Sequence, residues 1–300
     1  MADDQVQSLR IGDVEVLRII EWRGPHLPGA ALVPDCPPEV WSAYEEDLVP
    51  DHREAGGDRA VVAVQTWVVR GGGRTVLVDT GVGNGRERPG NPLFHRRQGD
   101  FLDRLARAGV DPGDVDVVVN THLHSDHVGW NTMDAGGEWV PTFPHARYLL
   151  PAADDAHFGP AGGYAGGARP IDRLVYEDSV APVHRAGQAV LWEDEHRIDA
   201  HLVLEAAPGH TPGSSVLRVE SRGERAVFVG DLLHSPVQIL HPECSSCFCL
   251  DPRKAAETRL RVLERAAAER ELVVPAHFGG AGAVEVRKVG GGFTLHRWAA

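Results

Sequence analysis

Two periodicities take turns along the chain. Residues 13–20, DVEVLRII, alternate polar and apolar positions, as a half-buried strand does. VVAVQTWVVR at 61–70 and TVLVDTG at 75–81 predict two more strands, joined as a hairpin by the turn Gly71-Gly72-Gly73. The period then changes. GDFLDRLARAG reads as an amphipathic helix stopped by Gly109, and Asp111-Pro112 turns the chain into the apolar run Val117 to Val119. A short hairpin-like stretch, EWVPTFPHARYLL, follows. The second half repeats the theme with strands HLVLEAAPG, SSVLRVE and AVFVGD, a helix from Pro252 to Arg270 capped by Asp251, and the strand LVVPAHF. Strands alternating with helices in two echoing halves predict a mixed α/β architecture.

Two stretches break the rhythm. Between Gly24 and Asp58, Pro25, Pro28, Pro34, Pro37 and Pro38 leave only PPEVWSAYEEDLV helical, so residues 21–60 read as an N-terminal arm laid over the body, with Trp41 and Tyr44 forming a wall or simply packing. PAADDAHFGPAGGYAGGARP holds five glycines between Gly159 and Gly167, a surface loop or a mobile lid.

Candidate chemistry gathers at strand ends. The run Val117–Val119 gives way to THLHSDH, delivering His122, His124, Asp126 and His127 on one short loop. His122 and His124, two apart, share a face of an extended segment, while Asp126 and His127 lie past the bend and can address a second centre. Imidazole and carboxylate without thiolate suit zinc, with manganese, iron or cobalt as alternatives. Three later strands end at His210, Asp231 and His277. Asp79 closes the strand beside the ligand loop, placed to bond the free ring nitrogen of a ligating histidine or to cap its own turn.

Composition narrows the classes. The formal net charge is −13 and no Lys/Arg-rich run exists, which argues against nucleic acid as partner. MADDQVQSLR lacks a basic region followed by an apolar one, and no stretch approaches the roughly 18 apolar residues of a membrane span, so the expectation is a soluble cytoplasmic protein. Three hundred residues are read as one domain, 1–300. Four cysteines do not make a disulfide framework at this size. His241, Cys244, Cys247 and Cys249, with Cys36, allow a separate zinc site, although small cysteines packing a loop are the commoner use of such residues. Trp130 and Phe278 line a pocket or close a core. His26, His52, His95, His145, His157, His184, His196 and His296 are read as surface residues.

With THLHSDH, the DTG of Asp79 to Gly81, PGHTPG, VFVGD and PAHF in hand, the chain resembles the metallo-β-lactamase fold superfamily over roughly residues 10 to 280. The resemblance implies a four-layer αββα sandwich, two mixed β-sheets flanked by helices, with the arm at 21–60 over the active-site side. It implies two divalent metal ions, zinc first: one held by His122, His124 and His210, the other by Asp126, His127 and His277, with Asp231 bridging. Two such ions lower the pKa of a shared water and polarise a substrate oxygen, so hydrolysis is the implied reaction. Asp126 and Asp231 are catalytic candidates on that resemblance, and His234 is a third on its own chemistry.

Departures sort the branches. His124 stands where flavodiiron relatives carry Glu, Asp231 where true β-lactamases place Cys or Ser, and the acidic chain lacks the basic surfaces of the nucleases. Little follows His277, against the added helical domain of glyoxalase II types. The remainder is similar to di-metal lactonases and organophosphate hydrolases, and the expected reaction is cleavage of an ester-like bond in a small molecule, first a lactone of the N-acyl homoserine type. Those lactonases commonly place a tyrosine three residues after the bridging aspartate; here His234 stands there, able to donate the same hydrogen bond or protonate a leaving alkoxide. Alternatives are a thioesterase or phosphotriesterase of the same fold, a mononuclear iron persulfide dioxygenase, or a metal-holding binding protein. Oligomeric state is open, a homodimer included.

Overall fold

A computed structural model of the protein describes residues 7–162 and 170–299. The chain divides into two compact units: Met1–Arg10, Val14–Glu21 and Val64–His196 form one, and Ile11–Asp13, Trp22–Ala63 and Arg197–Ala300 form the other. Of the stretch 151–170 read as a loop or lid, Ala152–Phe158 is a helix and residues 163–169 lie outside the described residues.

One seven-stranded sheet runs in the order Gln7–Ile11, Val14–Pro28, Arg59–Gly71, Arg74–Val78, Val117–Val119, Arg147–Pro151 and Ala189–Trp192. It is mixed. Arg59–Gly71 and Arg74–Val78 pair antiparallel through the expected glycine turn, whereas Arg74–Val78, Val117–Val119, Arg147–Pro151 and Ala189–Trp192 are parallel neighbours. Because side chains alternate along a strand, Leu77, Val118, Tyr148 and Leu150 enter one core with Phe101, Leu105, Phe158 and Val183 from the helices Phe101–Arg107, Ala152–Phe158 and Ala181–Arg185. Val76, Val78, Val117 and Val119 point the other way and are also buried. A parallel strand buried on both faces needs an unbroken apolar run, hence VVV rather than alternation.

The second sheet orders Glu195–Arg197, Leu202–Ala206, Ser215–Ser221, Glu224–Gly230, Leu272–Pro275, Val284–Val289 and Gly292–Trp298. Its helix, Pro252–Glu269, buries Ala255, Thr258, Arg259, Val262, Leu263 and Ala266, the i, i+3, i+4, i+7 stripe of an amphipathic helix. Asp251 caps it by accepting from Lys254 N at 2.9 Å, and Arg270 ends it in the left-handed region at φ 56°. Both ends match the sequence reading to within a residue.

Several readings need correction. EWVPTFPHARYLL is not one hairpin: Trp139–Pro141 pairs back with Thr132–Asp134, and Arg147–Pro151 enters the large sheet beside Val117–Val119. The segment Pro170–Arg185 is helical, with a π turn at Tyr176–Val180, and Val284–Val289 and Gly292–Trp298 form a hairpin beyond the last candidate ligand; neither was expected. The arm's helix is broken at Tyr44 (φ −112°, ψ 25°) into Pro38–Ala43 and Glu45–Leu48. Trp41 is buried there with Leu32, Val33, Leu48, Val237 and Cys244. His52 is not a surface residue: its ring stacks 4.8 Å from Trp298 and meets Phe278 edge-on at 5.2 Å. No helix among the described residues is long and apolar enough to cross a membrane.

Candidate metal centre

The four candidates of the first unit sit on the loop that leaves Val117–Val119, and polar side chains in the adjoining turns dictate its path. Asp79 ends its strand at φ 56°, a conformation open to Asp because its short carboxyl bonds locally. There it accepts from Thr121 N (2.8 Å) and Thr121 Oγ1, and takes the Nδ1–H of His127 at 2.8 Å. Thr80 and Asn120 both donate to the His127 carbonyl, and Asn131 closes the knot by pairing with Asn120. Gly129 has no room for a side chain, since a Cβ would lie 1.9 Å from the Val82 carbonyl carbon. The buried carboxylate of Asp154 receives Leu123 N.

That scaffold packs the rings closely. His122 Nε2 and His124 Nδ1 stand 3.1 Å apart, and the His122 and His127 rings are 4.0 Å apart. Asp126 Oδ1 lies 3.9 Å from His127 Nε2. His122 and His127 are buried; His124 and Asp126 are partly buried.

In the second unit the candidates arrive from separate strand ends. A register shift between Phe228 and Gly230 bulges the strand just before Asp231 and re-aims it. Gly209 carries His210 against the start of the long helix, with φ 141° and 2.3 Å between its would-be Cβ and Ala255 N. His277 donates Nδ1–H to the Ala63 carbonyl at 2.8 Å. Asp231 is the hub: Oδ2 lies 3.2 Å from both His210 Nε2 and His234 Nε2, and Oδ1 lies 2.9 Å from His277 Nε2.

Electrostatics inside this cluster pull in opposite directions. Burial alone would depress His210, but the Asp231 carboxylate and the Cys249 thiol outweigh it and raise its pKa to about 9. For His234 burial wins over Asp231 and lowers the pKa to about 4.

The donor sets fit divalent cations. Nitrogen ligands held at 2.0–2.1 Å around a tetrahedral ion stand about 3.3 Å apart. The His122–His124 and His210–Asp231 separations of 3.1 and 3.2 Å match that spacing. Ligand atoms of Asp231, His234 and His277 also lie within 4.8 Å of one another, so His234 is itself placed among metal-ligating groups. Asp79 lies beside the candidate ligand His127, the place expected for it. The thiol zinc site is not formed: Cys36 and Cys244 are buried, Cys247 is exposed, Cys249 faces His210, and no ligand cluster among the described residues includes a cysteine. Trp130 and Phe278 are core residues, Trp130 stacked on Phe101 at 5.3 Å.

Sequence reading missed the supports. Gln238 accepts His234 N at 2.7 Å, and Arg259 donates to the carbonyls of Leu232, Pro242 and Cys244, tying down the segment after Asp231. Arg259 was discoverable, for it falls on the helix's apolar stripe, where an arginine must have buried partners.

Comparison with known proteins agrees with this chemistry. The Metallo-beta-lactamase superfamily matches residues 59–277. A "Probable metallo-hydrolase YybB" of Bacillus subtilis (strain 168) is 26% identical over 188 residues, covering 60% of this chain and 67% of that protein. The human "Metallo-beta-lactamase domain-containing protein 1" is 31% identical over 203 residues, covering 58% of this chain and 71% of that protein. Among solved structures, AidC, a dizinc quorum-quenching lactonase in complex with a product, aligns with a TM-score of 0.80 at 20% identity over 98% of both chains. The chain belongs to the metallo-β-lactamase superfamily and has its fold, as the motifs implied. The names of these relatives support a metal-dependent hydrolase.

Proposed function

We propose that the chain works as one metallo-β-lactamase-like domain in which both ligand sets serve a single dinuclear centre, with residues 21–60 as its cap. In this reading His122, His124 and His210 hold one divalent ion, Asp126, His127 and His277 hold the other, and Asp231 bridges. The observation that carries it is the division of Asp231, one oxygen beside His210 and the other beside His277, the arrangement a bridging carboxylate requires. When bound, two such ions supply a water made nucleophilic near neutral pH and polarise the oxygen of a scissile bond. The protein's part is to hold and orient. Asp79 and the Ala63 carbonyl fix the proton of His127 and of His277 on Nδ1, leaving each Nε2 lone pair for an ion. Asp126 orients the attacking water, and His234 Nε2, beside Asp231 Oδ2 and kept neutral by burial, donates a hydrogen bond to the substrate oxygen, while Asp231 passes a proton to the leaving oxygen.

The substrate we infer is a small ester-like molecule, first a lactone of the N-acyl homoserine type, and zinc is the metal we favour. Support comes from the His/Asp ligand set and from the product-bound lactonase that shares the fold. The same reading has the protein act in the cytoplasm without nucleic acid or membrane, in keeping with its net charge of −13. The test is elemental analysis plus turnover of lactones, thioesters and aryl phosphotriesters by protein reconstituted with Zn, Mn or Co. Two ions per chain and highest kcat/KM on a lactone are expected. A thioester or phosphotriester preference would reassign the substrate, and one iron per chain with oxygen uptake on a persulfide would replace the hydrolase.

A further inference from the structure

We propose that Cys249 is a positioning residue for His210: its sulfur accepts the Nδ1–H of His210 and keeps the Nε2 lone pair directed at a bound ion. The inference rests on the dinuclear reading and goes beyond it by giving a role to a side chain outside the ligand set.

Histidines that bind metal through Nε2 need a partner at Nδ1 to fix tautomer and ring angle. His127 has the Asp79 carboxylate at 2.8 Å and His277 has the Ala63 carbonyl at 2.8 Å. His210 has Cys249 Sγ at 3.8 Å, on the ring edge opposite the Nε2 that faces Asp231. A sulfur acceptor makes a longer and weaker hydrogen bond than oxygen, so location must come from the surrounding backbone. That backbone is tightly held. Leu250 N donates to the His210 carbonyl (2.9 Å), Asp251 N to the Gly209 carbonyl (3.0 Å), Cys249 N to the Ser246 carbonyl (3.1 Å), and Ser245 Oγ to the Pro252 carbonyl (2.7 Å). Ser246 Oγ also reaches the same sulfur at 3.5 Å. The segment therefore grips the His210 main chain on one side and its ring on the other. The neighbouring Cys247 is exposed, which makes it a matched control.

The test compares Cys249→Ala, Cys249→Ser and Cys247→Ala in full-length protein. Zinc affinity is measured by competition with a chromophoric chelator, and the exchangeable imidazole N–H resonances are followed in cobalt-substituted protein. Cys249→Ala should weaken one of two ions by about 10–100-fold, the usual cost of losing such a partner, and speed solvent exchange of one imidazole N–H. Cys249→Ser keeps an acceptor, on a shorter bond, and should recover part of that loss, whereas Cys247→Ala should match wild type. The idea is overturned if Cys249→Ala binds both ions as wild type does, if the serine variant is as weak as the alanine variant, or if Cys247→Ala loses as much. Wild-type stoichiometry separates the two readings. Fewer than two ions would sink the dinuclear centre, while a response of the remaining ion to Cys249→Ala would leave the positioning role standing.

Discussion

The two candidate ligand sets are built by opposite means. In the first unit four candidates within six positions ride one loop, and the side chains that steer it, Asp79, Thr80, Asn120 and Asn131, lie in that loop or in the neighbouring strand-end turn. In the second unit His210, Asp231 and His277 come from strand ends far apart in sequence; Arg259 and Gln238 tie down the stretch after Asp231, Cys249 faces the His210 ring, and the Ala63 carbonyl holds His277. The first set is made by local geometry and the second by packing. The first should therefore be sensitive to changes in its own hydrogen bonds, and the second to changes at a distance.

The largest expected effect falls on Asp231, the bridging group of the proposed centre. Asp231→Ala should lower kcat/KM by roughly three orders of magnitude, the several kcal/mol such a centre supplies, and should reduce metal content while circular dichroism stays native. Full metal content with near-normal turnover would remove Asp231 from the mechanism.

Next is Arg259→Met, which leaves the buried carbonyls of Leu232, Pro242 and Cys244 without their donor. About 3 kcal/mol of stability should be lost in urea titration, although Arg259 is not among the candidate ligands. A loss under 1 kcal/mol would deny that packing from the helix supports the second set.

Asp79→Asn tests the local mechanism. Asn tolerates the φ of 56°, but a rotamer that still accepts from Thr121 turns the amide N–H toward His127, whose proton must then move to Nε2. Metal affinity should fall about 10–100-fold with little change in stability. Unchanged affinity would mean that the carboxylate does not set the tautomer.

The smallest effect concerns Glu21, whose buried carboxyl accepts from Val82 N and Trp130 Nε1. Burial raises its pKa above 4.5 despite those donors. The folded state therefore holds this proton more tightly than the unfolded one, and its contribution is largest below pH 4.5 and declines as pH rises through the folded-state pKa. Glu21→Gln should flatten that decline in the urea midpoint, and identical pH slopes for variant and wild type would count against it.

These contrasts explain what could be read in advance. The ligand loop was legible because THLHSDH packs several donors into a few positions, and the long helix because its apolar stripe, its Asp251 cap and its stop lie within one window. The hairpin assigned to EWVPTFPHARYLL failed because pairing partners are chosen by the whole sheet, and Trp139–Pro141 found Thr132–Asp134 behind it. His52 was misplaced for a similar reason, since nothing near it in sequence announces Trp298.

By itself, the sequence determined the class of fold, the family and the chemical identity of every candidate ligand, because periodicity and donor type are properties of short segments. Only the tertiary structure decided that Asp231 divides its oxygens between His210 and His277, that Arg259 braces the turn after it, and that a cysteine faces the ring of His210. Those contacts join residues that no local pattern relates; burial brings them together, and buried polar groups must then find one another.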